Sequence, residues 1–194
     1  MKNSRGRNLL ILGAVLVIVD QVIKILVKTN MGIGEHFNVI GNWFQIFFIE
    51  NEGMAFGMKF GGAAGKYVLS AFRVCLFAAL AWWISSLDKK KEASTGVLVG
   101  LTLIAAGALG NIIDCFFYGL VFTPHVPVMQ GRVVDMFYFP IIDTVWPQWL
   151  PWIGGKPFTF FDPVFNFADS CVTVGAFYLI LFHWRFFAKD SETK

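Results

Sequence analysis

Two aspartates in this chain sit where a charge needs a reason. Asp169 lies just inside the last long apolar run, in Phe165-Asn166-Phe167-Ala168-Asp169-Ser170, and Asp135 lies within Gly131-Arg132-Val133-Val134-Asp135-Met136-Phe137, a short apolar, strand-like segment. An ionised side chain at membrane depth costs ~2.5–3.5 kcal/mol even on the lenient insertion scale, so such a carboxylate marks a site and requires a partner. Asp135 is the candidate partner of Asp169. Two close carboxylates that share a proton can hydrolyse a peptide bond without a metal or a covalent nucleophile: one deprotonates water and the other protonates the carbonyl or the amine. Such a pair titrates jointly, so neither role is assigned to either residue at this stage. Other chemistries lack their residues. His36, His125 and His183 are isolated, without metal-ligand spacing, and no Ser-x-x-Lys or Gly-x-Ser-x-Gly pattern occurs. No metal and no cofactor are expected.

The elements that must position these groups follow from composition. The 194 residues are 56% hydrophobic and 15% charged, with a mean hydropathy of +0.62. A soluble domain averages roughly 45–50% apolar and 25% charged, so the chain is read as a polytopic membrane protein. Leu9 to Val27, Tyr67 to Leu87, Val97 to Leu120 and Val164 to Phe187 are each long enough to cross a bilayer. The first run follows Lys2, Arg5 and Arg7 in the manner of a signal peptide, but Asp20-Gln21 stands where a small-x-small cleavage site would be, so an uncleaved span is expected. Residues 1–8, 88–95 and 185–194 hold nine of the sixteen Lys and Arg, against five in the long connections 28–66 and 121–163. The positive-inside rule then places both termini in the cytoplasm and both long loops outside. Cys75, Cys115 and Cys171 all fall in apolar runs, which argues against a disulfide framework.

With that orientation, the polar residues of the spans share one depth. Asp20, Gln21 and Lys24 occupy the outer third of the first helix, where Asp20 and Lys24, four apart, share a face and pair. Arg73 falls in the first two turns of the second, Asn111 and Asp114 near the far end of the third, and Asn166 and Asp169 in the first turns of the fourth. Taken singly, Lys24 and Arg73 can snorkel and the two asparagines can join helices. Gathered at one level under the outer leaflet, they describe a site.

The loops carry further signals. From Phe37 to Glu50, β-branched and aromatic residues flank Gly41-Asn42, which predicts a short hairpin lying on the membrane. The stretch 140–163, rich in Trp, Pro and Phe, suits the headgroup level as a lid or a belt. Glu35, Glu50, Glu52, Asp143 and Asp162 are read as surface groups. Two other function classes stay open on the residues alone. An ion or proton-coupled transporter could use Asp20, Asp114 and Asp169 as a relay, though the inner halves of the spans offer it almost no polar residues. An assembly factor could bind a partner through the aromatic loops.

Five segments in order resemble the lipoprotein signal peptidase family, the bacterial signal peptidase II: Asp20-Gln21-x-x-Lys24, Asn51-x-Gly53-x-Ala55-Phe56, Gly107-x-x-x-Asn111-x-x-Asp114, Val133-Val134-Asp135 and Phe165-Asn166-x-Ala168-Asp169. The resemblance implies a mainly α membrane protein in one integral domain, a four-transmembrane-helix bundle with a small extracytoplasmic β-sheet on the membrane surface. It implies an intramembrane aspartic protease of the bacterial cytoplasmic membrane that removes the signal peptide of a prolipoprotein just before its diacylglyceryl-modified cysteine. Asp135 and Asp169 correspond to the catalytic pair; Asn51, Gly53, Asn111, Asp114 and Asn166 line or brace the site, and Asp20 with Lys24 supports packing beside it. The implied partners are that lipid-modified substrate and membrane lipids, with no nucleic acid, and a monomer is expected. Two departures stand out. The family's Arg after the third-helix Asp is Cys115 here, with Arg132 or Arg73 the available substitutes, and the interval between Asp135 and Asp169 is lengthened by the stretch 140–163.

Overall fold

The computed structural model describes residues 4–52 and 62–188. Helices α1 (Ser4–Asn30), α2 (Gly62–Lys90), α3 (Thr95–Ile113) and α5 (Phe167–Ala188) carry the four apolar runs. Each is long and apolar enough to cross a membrane. Between α3 and the short α4 (Gly119–Phe122) the chain runs through one π turn, Asp114–Tyr118, so the third span reaches Phe122.

α3 is the central helix: half of its most apolar window is buried inside the protein, against 17%, 6% and 17% for α1, α2 and α5. It is lined with glycine because its neighbours come close. A Cβ on Gly107 would lie 2.2 Å from the Ala168 carbonyl oxygen, and one on Gly100 2.6 Å from the Leu179 side chain. Lipid tails give helices no hydrophobic reason to associate, so close backbone approach over small residues supplies the contact.

Strands β1 (His36–Ile40), β2 (Phe44–Asn51) and β3 (Val133–Tyr138) form an antiparallel sheet in that order. Gly41, at φ 51°, turns the predicted hairpin. Burial rises across the sheet: β1 is exposed throughout, whereas Val133 to Met136 of β3 are buried. That gradient explains the composition of β3, where Val-Val-Asp-Met-Phe-Tyr shows no polar alternation because both faces are covered. Val134 and Met136 join Val27, Phe48 and Tyr118 in a core between sheet and bundle. A second core, at the other end, gathers Leu9, Leu87, Ala93, Val97, Leu98, Leu101 and Leu179. The stretch 140–163 contains a hairpin of its own, β4 (Ile142–Val145) with β5 (Pro157–Phe160), for which the residues gave no strand signal. Trp146 packs on Phe158 at its end, and Trp149 and Trp152 at the tip are 78% and 90% exposed, the most exposed large apolar side chains among the described residues. The expected fold class is the one observed: a mostly helical bundle with a small sheet.

Candidate active site

Asp169 is positioned by the first turn of α5. Asn166, the residue before the helix, accepts the Asp169 N–H on Oδ1 at 2.9 Å, and Asp169 Oδ2 accepts the Asn166 N–H at 3.2 Å. This reciprocal exchange is a capping box built from Asn and Asp. The Ala168 N–H donates to Asp20 Oδ1 of α1 at 2.8 Å, and the Ser170 N–H to the Asn166 carbonyl at 3.1 Å. The N–H groups of Asn166, Ala168 and Asp169, which a helix start leaves without intrahelical partners, are taken up by side chains of the site itself.

Asp135 reaches the same place from the sheet. The chain entering α5 pairs with β3, Phe165 exchanging hydrogen bonds with Phe137 at 2.7 and 3.0 Å. That register sets Asn166 beside Asp135, whose Oδ1 accepts from Asn166 Nδ2 at 2.6 Å while its Oδ2 accepts from Asn51 Nδ2 at 3.2 Å. One carboxamide therefore holds both aspartates, through the backbone N–H of Asp169 and the carboxylate of Asp135. Asp135 is buried, Asp169 half-buried. Burial first, and then the neighbouring Asp169 charge, push the Asp135 carboxyl up to about 7, against the opposing donation from Asn166 and Asn51.

Behind the aspartates lies a fully buried cation. Lys24 contacts Asp20 Oδ2 at 2.9 Å, Asp114 Oδ2 at 2.7 Å and Asn111 Oδ1 at 2.8 Å, one acceptor for each of its three N–H donors. Asn111 passes the chain forward, donating Nδ2 to Asp169 Oδ1 at 2.8 Å. Asp114 opens the π turn, a feature frequent at functional sites. Its Oδ2 also accepts the Val134 N–H at 3.4 Å, and the Cys115 carbonyl accepts the Gly131 N–H at 2.9 Å, so the turn docks the strand that bears Asp135. A Cβ on Gly131 would lie 2.2 Å from the Asp114 carbonyl oxygen, which explains the glycine there.

Asp20, Lys24, Asn51, Asn111, Asp114, Asp135, Asn166 and Asp169 thus belong to one hydrogen-bonded network; Gly53 lies outside the described residues. Two further members join it, Gln21, which the sequence placed at this level without a specific role, and Tyr118, which it did not single out. Gln21 donates to Asp20 Oδ2, the Gly110 carbonyl and Asp114 Oδ1 at 3.1, 3.2 and 2.9 Å, and accepts from the Tyr118 hydroxyl at 3.1 Å. Its place next to Asp20 in an apolar helix was a usable signal. Tyr118 follows Asp114 by four residues, but an aromatic near a membrane boundary reads equally as an interface anchor. At the Cys115 departure, Arg73 of α2 donates Nη1 to Cys115 Sγ at 3.3 Å, while Arg132 lies 3.8 Å from Glu50 and 3.6 Å from Glu52. Of the two expected substitutes, Arg73 is the one that reaches Cys115. Glu50 corrects the surface reading: its side chain is 10% exposed and pairs with Lys28, because β2 lies over the end of α1.

The profile of the family described as signal peptidase (SPase) II matches residues 12–185. The chain belongs to this family. The signal peptidase II family resemblance is therefore established over most of the chain, and with it the class of the protein, a peptidase. A lipoprotein signal peptidase of Porphyromonas gingivalis is 45% identical, covering 93% of this chain and 84% of its own. One from Amoebophilus asiaticus is 37% identical, covering 85% and 72%, and one from Pelodictyon phaeoclathratiforme 30%, covering 90% and 88%. A solved bacterial membrane enzyme, determined by the in meso method, superposes with a TM-score of 0.62 at 26% identity, covering 96% of this chain and 92% of that one.

Proposed function

We propose that the chain is a membrane aspartic endopeptidase that removes the signal peptide of prolipoproteins immediately before the diacylglyceryl-modified cysteine, with Asp135 and Asp169 as its catalytic pair. The observation that carries this reading is the Asn166 carboxamide, which holds both aspartates at the head of a buried network in a signal peptidase II chain. Family membership and the curated relatives support the reaction; the geometry supports the pair.

The chemistry runs through these groups. One carboxylate takes a proton from water as the water oxygen bonds to the scissile carbonyl carbon, and the other, protonated, gives its proton to the carbonyl oxygen. On collapse the first returns its proton to the departing amide nitrogen, the C–N bond breaks, and the second recovers a proton from the hydroxyl. Both aspartates end as they began. Acid and base assistance of ~10²–10⁴ covers a few kcal/mol of the barrier, so holding the peptide in place supplies much of the remainder. Asn51, Asn111 and Asn166 donate to the pair, and Asp20, Lys24 and Asp114 brace the site.

The surrounding assignments extend the family reading with the charge bias of the loops and the depth of the polar residues. Both termini lie in the cytoplasm of a bacterial cell, the protein spans the cytoplasmic membrane as a monomer, and the pair sits near the outer leaflet, where the diacylglyceryl chains of a substrate stay in lipid. Ion transport has no support: the charged network occupies one end of the bundle, and the core at the other end is built from Leu, Val and Ala.

The test is cleavage of a lipid-modified prolipoprotein by purified protein in detergent, followed by gel shift. Asp135→Asn and Asp169→Asn are each expected to lose roughly 10³-fold or more while retaining the fold. Cleavage at the parent rate by either variant removes the assignment.

A further inference from the structure

Lys24 touches neither aspartate of the pair, yet its contacts determine which way an amide points. Asn111 Oδ1 accepts from Lys24 Nζ and, at 3.2 Å, from Asn166 Nδ2. Reversing the Asn111 amide would set its NH₂ against an ammonium and another NH₂, and its carbonyl against the Asp169 carboxylate. An ammonium has donors only, so the orientation is forced and the Asn111 N–H points at Asp169. Asn166 is oriented as firmly, because its Oδ1 faces a backbone N–H, that of Asp169.

The two aspartates are consequently unequal. Each aspartate accepts one donor on each oxygen, Asp135 from Asn166 and Asn51 and Asp169 from Asn111 and the Asn166 N–H, but Asp169 alone lies in the first turn of a helix, α5, where the dipole favours negative charge. The Lys24 charge polarises the amide that faces it. Asp135 sits on a strand, which has little dipole, and is 2% exposed where Asp169 is half-buried. Among the described residues, the charged groups linked to Asp169 through the network are Asp20 and Lys24 from α1, Asp114 from the π turn after α3 and Asp135 from β3, and α2 brings Lys66 and Arg73 to the same end of the bundle, where Arg73 donates to Cys115.

We propose that Lys24 is a positioning residue that acts through the Asn111 carboxamide to place the negative charge of the pair on Asp169, making Asp169 the base that deprotonates water and Asp135 the acid that protonates the scissile carbonyl. This rests on the pair being catalytic. In the hydrolysis described above, the proton from water goes to Asp169 and then to the departing nitrogen, and the Asp135 proton goes to the carbonyl oxygen and returns.

The double variant Lys24→Met/Asp114→Asn tests it, because it deletes one positive and one negative charge and leaves the net charge of the buried cluster unchanged. The probe is a synthetic prolipoprotein peptide carrying a diacylglyceryl cysteine and a fluorophore–quencher pair, cleaved by the full chain in nanodiscs across pH. The acidic limb of kcat/KM is expected to move to higher pH, since the Asn111 amide that donates to the base is no longer polarised by an ammonium. A profile that superposes on that of the parent, lowered uniformly, makes Lys24 a packing residue and overturns the proposal. A second measurement uses the parent chain alone: ¹³C-carboxyl aspartate resonances, assigned by their loss in Asp135→Asn and Asp169→Asn, are followed over pH. Near neutral pH the Asp169 signal is expected at the carboxylate position and the Asp135 signal at the acid position; the reverse order overturns the assignment even if the double variant fails to fold. Parent-level cleavage by Asp135→Asn or Asp169→Asn is a different result, striking the catalytic pair itself.

Discussion

Asn166 and Asp169 are bonded to each other twice, side chain to backbone in both directions, across the first turn of α5. The same two residues cap the helix and hold the carboxylate, so the start of the fourth span and the site form together. Functional losses in this network need to be separated from losses of stability.

Asn166 allows that separation. Asn166→Ala removes the cap, at a cost of about 1 kcal/mol, together with the donor to Asp135. Asn166→Ser keeps a capping oxygen but has no NH₂ to reach Asp135. Thermal unfolding of Asn166→Ser is expected to return close to the parent while prolipoprotein cleavage stays low; recovery of both would mean that the contact with Asp135 is dispensable.

Lys24 is fully buried against two carboxylates. Lys24→Met leaves both unpaired and is expected to destabilise by ~3–5 kcal/mol. Adding Asp114→Asn removes one of the stranded charges, so the double variant should unfold later than the sum of the single variants predicts. Strict additivity in denaturation of the four proteins would show that the two side chains do not interact.

Glycine positions in the spans should divide sharply. A Cβ at Gly110 would come 2.5 Å from Asp20 Oδ2 and one at Gly107 2.2 Å from the Ala168 carbonyl oxygen, whereas one at Gly13 meets only the Thr102 methyl at 3.5 Å. Gly107→Ala and Gly110→Ala should cost ~1–3 kcal/mol or more through overpacking. Gly13→Ala should unfold within a few degrees of the parent, and intrinsic tryptophan fluorescence on heating compares the three.

Asp135 links stability to pH. Its carboxyl is raised from 3.8 to about 7, so between those values the folded chain binds a proton that the unfolded chain has lost. The stabilisation is full below about pH 4 and is lost as pH rises through 7. Asp135→Asn has no charge to bury and escapes that loss. It should be more stable than the parent at pH 8, by on the order of 1–3 kcal/mol, with the difference shrinking towards pH 4. A constant difference across that range would contradict the burial of an ionising group.

Periodicity and composition were sufficient for whatever is local in the chain. The four spans follow from runs of apolar residues long enough to satisfy every backbone group in lipid. The hairpin turns at Gly41, within its Gly-Asn signal, and Asp20 with Lys24 pairs because a helix brings residues four apart onto one face. The common depth of the polar residues foreshadowed the network, since helix rise converts position into depth. Contacts across elements were not legible. Pairing of Phe165 with Phe137 sets Asn166 beside Asp135, and nothing local encodes that register. The reach of Arg73 to Cys115, the burial of Glu50 against Lys28 and the hairpin within 140–163 depend in the same way on neighbours distant in the chain. The sequence by itself determined which runs are long and apolar enough to cross a membrane and which polar residues stand at a common level along them. Only the tertiary structure decided which amide faces which carboxylate, because a hydrogen bond depends on direction and distance in space, and spacing along the chain specifies neither.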